Sequence, residues 1–276
     1  MWTRAQLKEN AKRKLRNYYW IAVLACLVCS LLGAGTGTGV STTSSYQSSD
    51  TETISYSDLI QNPESIQDYF KEYELPGYEY SYDMSGTFIL IIVLFAIMVL
   101  LISLAFFVFV SNPIEVGLRR FFLLAGEGKA SMGELFYAFR SGNYMNIVKT
   151  MFLQRLYIFL WSLLFIIPGI VKTYQYYMIP YILAEHPEMS SAEVFKVATD
   201  MSDREKWDMF VLALSFIGWG LLGALVSSVF SAFSAYLGSL VATAAALLLM
   251  PYVYATFTEL FLCFKAKLYY SNQQGV

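Results

Sequence analysis

An all-α integral membrane fold is what this sequence predicts: six transmembrane helices forming three hairpins, each preceded by an amphipathic helix at the membrane interface. Three observations carry that expectation. Hydrophobic residues make up 57% of the 276 positions and charged ones 14%, a balance suited to a bilayer rather than to water. Several apolar runs approach the roughly 20 residues needed to cross a hydrocarbon core. A unit of amphipathic helix, polar turn, aromatic residue and apolar run recurs three times along the chain.

The spans are expected near residues 18–34, 87–111, 148–168, 170–185, 208–229 and 236–263, the first and fourth being short. Residues 88–110, "FILIIVLFAIMVLLISLAFFVFV", carry no charge. The basic N-terminal stretch followed by an apolar run could also be a secretory signal. Five further runs follow it, so the first span is read as retained. With the N-terminus inside, 17 of the 19 lysines and arginines fall on the cytoplasmic side, leaving Lys71 and Lys172 outside. An even number of crossings and the positive-inside bias then agree, and both termini are cytoplasmic in a multi-pass cell-membrane protein.

The whole chain, 1–276, reads as one membrane domain with an extracytoplasmic loop, residues 35–86, inserted in the first hairpin. The loop opens as a Gly/Ser/Thr linker and becomes acidic and tyrosine-rich, with nine carboxylates against Lys71. Within it "NPESIQDYFKEY" predicts a short helix capped by Asn62, with Pro63 at its first position. The carboxylates lack the alternation and turn glycine of a calcium loop, so a solvated acidic cap is expected there.

The repeat begins at "RAQLKENAKRKLRNYYW", "SMGELFYAFRSGNYM" and "SAEVFKVATDMSDREKW". Apolar stripes at helical spacing are Leu7, Ala11 and Leu15; Met132, Leu135, Phe136 and Phe139; and Val194, Val197, Ala198 and Met201. Ser190 with Glu193 reads as a capping box. Basic residues opposite the stripes suit helices lying in an anionic headgroup layer, although packed connectors would share the pattern. Tyr18, Tyr19, Trp20, Tyr144 and Trp207 sit where an interfacial aromatic belt belongs. The second helix of each hairpin carries a proline, Pro113, Pro180 or Pro251, and each should free a carbonyl that a neighbour must satisfy.

"NPIEVGLRRFF", "LFYAFRSGNY", "LWSLLFIIPGIVKTYQY" and "LALSFIGWGLL" together resemble the bacterial multi-pass membrane family catalogued as domain of unknown function 975. The resemblance covers nearly the whole chain outside the loop and implies no catalytic or binding residues. Where that family tends to show a methionine pair and a glycine before the fifth span, this chain has "DMSDREKW", so its helix ending is expected to differ. More distantly, the hairpin plan is similar to the membrane domain that accompanies some glycerophosphodiester phosphodiesterases, here without an appended catalytic domain.

Chemistry is sparse. One histidine, His186, argues against histidine-based metal sites and relays. Cys26 and Cys29 have redox spacing but lie in a span. No nucleophile elbow, zinc-helix motif or phosphate-cradling loop is present. No cofactor, metal or nucleic acid is therefore expected; the expected partners are anionic lipid headgroups at the cytoplasmic face and a further membrane protein. Glu115, Glu185 and Glu259 follow the three prolines by two, five and eight residues. Those unequal offsets favour separate pairings with Arg119 and other cations over a symmetric ring, while an ion or proton path is the sharper alternative. Pro168 and Gly169 read as the outer tip of the second hairpin. Lys172, three residues on, would then be shallow and able to snorkel, whereas a midplane lysine costs roughly 2.5–3.5 kcal/mol.

These features point to a non-enzymatic scaffold or regulatory subunit of the cell envelope, associated with lipid. The alternatives are a small transporter or channel built on the three carboxylates, recognisable by a polar cavity at Glu115 or Glu259, and more weakly an enzyme acting on lipid headgroups.

Overall fold

A computed structural model describes residues 2–34, 84–129 and 131–274. The acidic loop up to residue 83, with its expected helix at Asn62, lies outside the described residues. The chain divides into two units, Met1–Ser44 with Ala105–Val276, and Ser45–Leu104. In the second unit a helix that starts at Met84 exposes every apolar side chain from Phe88 to Leu104. Surface of that kind marks a membrane or protein contact.

The described elements are helical throughout. In order they are α1 (Arg4–Leu15), α2 (Tyr19–Leu31), α3 (Met84–Phe106), a π-helical turn (Phe107–Ser111), α4 (Asn112–Ala125) and a 3-10 turn (Met132–Phe136). These are followed by α5 (Tyr137–Arg140), α6 (Tyr144–Leu164), α7 (Ile166–Gln175), α8 (Ile179–Glu185), α9 (Ser191–Ser202), α10 (Lys206–Ser231) and α11 (Ala235–Gln274).

Among the described residues, four helical stretches are long and apolar enough to cross a membrane: Phe88–Ala125, Tyr144–Leu164, Lys206–Ser231 and Ala235–Tyr269. The first expected span is cut short. Gly33 takes φ 70 and the Ala34 N–H donates back to the Cys29 carbonyl at 2.8 Å, ending α2 at Leu31. Its thirteen residues reach about 20 Å, short of a 30 Å core. The expected fourth span is broken in two, α7 and α8, at Tyr176–Met178.

The tip of the second hairpin also moves. α6 ends at Leu164 and the chain reverses at Phe165 (φ −154, ψ 143), three residues before Pro168. Pro168 sits instead in the first turn of α7, where its missing N–H costs no helical bond. Gly169 marks a close helix approach rather than a turn, because a Cβ there would lie 2.3 Å from Ser162 Oγ on α6. Gly238 meets Ser231 in the same way across α10 and α11. Lys172 consequently lies seven residues beyond the turn, about 10 Å along α7, deeper than the sequence places it. Its ammonium rests over Trp161 and Tyr176, 5.2 and 5.4 Å from the ring centroids, contacts that offset part of its desolvation.

Two of the three amphipathic segments, the first and the third, turn their apolar stripes to protein rather than to a headgroup layer. Leu7, Ala11 and Leu15 of α1, and Val194, Ala198 and Met201 of α9, are buried in the core. In the second segment the 3-10 turn changes the spacing: Leu135 and Ala138 are buried, while Phe136 and Phe139 point outward. At α9 the Ser190 hydroxyl and the Glu193 carboxylate cap each other, and those hydrogen bonds hold the Glu193 carboxyl below the usual carboxylate range. The helix ends without a glycine, since Arg204 itself takes the left-handed conformation at φ 61.

α4 is the central element of the larger unit, with twelve of its fourteen residues buried. On one side Ile114, Leu118, Phe121 and Phe122 pack with α1, α2 and Tyr254 of α11. On the other, Val116 and Leu123 join the core formed by α8, α9, α10 and the second half of α11. Gly117 permits this position: a Cβ would come within 2.1 Å of the Leu135 carbonyl oxygen.

Candidate functional site

The site starts from the three prolines. Pro113 cannot donate to the Phe109 carbonyl, and Tyr144 Oη donates to that oxygen at 2.6 Å. Pro180 lies in the first turn of α8, where its missing N–H costs no helical bond, and the Tyr176 carbonyl before it accepts from the Ile179 N–H at 3.2 Å and from Gln154 Nε2 at 3.0 Å. Pro251 lies inside α11, and Tyr19 Oη donates to the carbonyl of Leu248 in the preceding turn at 3.0 Å. Tyr19 and Tyr144, two of the five expected belt aromatics, thus bridge helices by supplying donors to proline-opened turns. Trp20 and Trp207 are exposed and Tyr18 is buried.

Just past Pro113, α4 carries Glu115 and Arg119 four residues apart and therefore on one face. Arg119 Nη2 donates to Glu115 Oε1 at 3.0 Å. The other carboxylate oxygen accepts from Arg155 Nη2 of α6. The Arg119 guanidinium lies among three tyrosine rings, 4.6 Å from the centroid of Tyr254, 5.1 Å from Tyr181 and 5.5 Å from Tyr177. A ring face attracts a desolvated cation by about 2 kcal/mol or more. Glu115 and Arg119 are almost wholly withdrawn from solvent, at 4% and 1% side-chain exposure, while Arg155 retains 28%. The neighbouring Arg120 ties the same stretch outward, donating to Glu134 Oε2 at 2.8 Å and to the Ala184 carbonyl at the end of α8 at 2.7 Å.

Beside the triad lies a cavity of about 30 Å³ lined by Glu115, Arg119, Gln154, Arg155, Thr173 and Tyr177 among others. That volume accommodates water-sized bodies and no organic substrate. Arg119 Nε, Arg155 Nε, Gln154 Oε1 and Tyr177 Oη are buried without a hydrogen-bond partner, as are both polar side-chain atoms of Asn112, one turn before Glu115.

The other two carboxylates stand apart from this cluster. Glu259 accepts from Lys14 Nζ at 2.6 Å and Glu185 from Lys265 Nζ at 2.7 Å. Each of the three sequence-singled glutamates therefore has its own cation. His186 is exposed beside Glu188, and among the described residues no cluster of three or more metal-ligating side chains occurs. Arg155, Gln154 and the three tyrosines were not singled out from the sequence as site residues. The available signal was an arginine and a glutamine inside an expected span, a placement that usually has a reason.

Fold and site define a class: an all-helical protein with helices long and apolar enough to cross a membrane, built around a buried, ion-paired polar cluster. Within it, residues 165–264 match the family described as "Protein of unknown function (DUF975)". The match includes Gln175, Tyr177, Pro180, Tyr181, Glu185, Pro251, Tyr254 and Glu259, but not the α4 motif or Arg155, so it covers less of the chain than the motifs imply. No curated protein and no solved structure matches the chain, and nothing in the match extends to the glycerophosphodiester phosphodiesterase similarity.

Proposed function

We propose that the chain is a multi-pass protein of a bacterial cell membrane with both termini cytoplasmic, crossing it six times as three hairpins in which the short α2 and the broken α7–α8 pair make the first and fourth crossings where the bilayer thins around them. It acts as a non-enzymatic, lipid-associated scaffold or regulatory subunit. The observation that carries this reading is the neutralisation of Glu115, Glu185 and Glu259, each by a cation from another helix: Arg155, Lys265 and Lys14 respectively. A conduit needs an ionisable group that can exchange its ion, and pairs held this closely are fasteners between helices. With the stripe of α1 turned to the protein, Arg4, Lys12, Arg13 and Arg16 remain exposed. They supply the cationic surface for anionic headgroups, at roughly 1 kcal/mol per charge.

One observation favours the transport alternative: the small cavity is lined by Glu115. Proton and potassium flux into proteoliposomes separates the two readings. The scaffold reading expects flux equal to that of protein-free vesicles. Flux that disappears on Glu115→Gln would replace it with a transporter.

A further inference from the structure

We propose that the cavity beside Arg119 is a binding site for a single negative charge, supplied either by a small free anion or by the phosphodiester of a lipid headgroup. The proposal rests on the site's geometry and not on the scaffold reading. Two guanidinium groups face one carboxylate, Arg119 at 1% and Arg155 at 28% side-chain exposure, so one positive charge has no carboxylate of its own. An excess charge partly withdrawn from water is stabilised by an anionic partner.

Three of the four unused hydrogen-bonding groups in the lining point the same way, the fourth being the acceptor Gln154 Oε1. Arg119 Nε, Arg155 Nε and Tyr177 Oη are three donors without an acceptor, on residues that line one cavity. Arg119 and Tyr177 are more than nine-tenths buried. Guanidinium N–H groups can only donate, so water could satisfy the hydrogen bonds but would leave the charge. A monoanion satisfies both. The cavity, about 30 Å³, fits an ion of chloride size or one phosphate oxygen with its neighbours at the opening, and excludes gluconate.

The test uses the full chain, purified in non-ionic detergent and stripped of lipid. Its unfolding temperature is followed by a thiol-reactive fluorophore reporting Cys26 and Cys29, both buried. In one arm chloride replaces gluconate at constant ionic strength. In the other, phosphatidylglycerol or diacylglycerol is added in mixed micelles in gluconate buffer. A saturable rise with chloride assigns a free anion; a rise with phosphatidylglycerol but with neither chloride nor diacylglycerol assigns a lipid phosphate. Tyr177→Phe and Arg155→Met test the site itself, the first removing only a hydroxyl and so preserving the fold. Each should weaken the apparent affinity about tenfold, the equivalent of one hydrogen bond to a charge. The proposal is overturned if neither arm raises the unfolding temperature, or if both variants respond with wild-type affinity.

Discussion

Replacing Glu115 by glutamine should be the most damaging of the three carboxylate neutralisations, by a margin that the geometry sets. At 3.0 Å and an effective dielectric constant near 20, one carboxylate–guanidinium attraction is roughly 5 kcal/mol, and withdrawing each ion from water costs several kcal/mol. The intact pair is thus near balance, but removing the anion leaves the cost and deletes the gain. Arg155, with 28% of its side chain exposed, can turn toward solvent; Arg119, at 1%, cannot. One stranded guanidinium gives an expected loss of about 3–5 kcal/mol. Glu259→Gln and Glu185→Gln release Lys14 and Lys265, whose side chains are 34% and 49% exposed, and should each cost about 1 kcal/mol or less. Thermal unfolding of the detergent-solubilised protein, read by the same cysteine-reactive fluorophore, should fall by roughly 10 °C for Glu115→Gln and by a few degrees at most for the others. Equal shifts for all three would refute the view that burial decides the magnitude.

Three further outcomes are expected. Gly117→Ala would force a methyl group to within 2.1 Å of the Leu135 carbonyl, so α4 must move and stability should drop by more than 1–3 kcal/mol; a wild-type unfolding temperature would mean that this helix contact is absent. Tyr144→Phe strips the donor from the carbonyl opened by Pro113 and should cost about 0.5–1.5 kcal/mol, whereas a Pro113→Ala background, which restores the backbone donor, should reduce that cost; equal cost in both backgrounds would separate the tyrosine from the proline. Arg204→Gly relieves a left-handed residue and should stabilise by roughly 1 kcal/mol, with a lower unfolding temperature counting against it.

Where side-chain periodicity and composition decide structure, the chain was legible. Leu7, Ala11 and Leu15 follow one helical stripe and are all buried, and the long uncharged runs emerge as the longest apolar helices. What the stripe packs against is a tertiary matter, so a face suited to lipid could equally be a face suited to Phe264 and its neighbours. Pro168–Gly169 has the composition of a turn, yet proline is equally at home in the first turn of a helix and glycine at a close crossing, which is why the reversal falls at Phe165. The candidate site was half visible. Glu115 and Arg119 share a helix face by spacing alone, whereas Arg155, Tyr181 and Tyr254 come from three other helices and Tyr177 from the turn between α7 and α8, and they meet only through packing. Arg155 was also counted with the cytoplasmic charges, which concealed its place inside an apolar helix.

The larger unit is proposed to stand across a membrane with its basic end inside. Labelling of intact cells with a membrane-impermeant maleimide tests it directly, in a Cys263→Ser background that leaves only the buried Cys26 and Cys29. Ser234→Cys lies at the turn between α10 and α11, and Lys12→Cys on the exposed face of α1. The account predicts that Ser234→Cys is labelled on intact cells and Lys12→Cys only after permeabilisation. Labelling of both positions from the same side would contradict it.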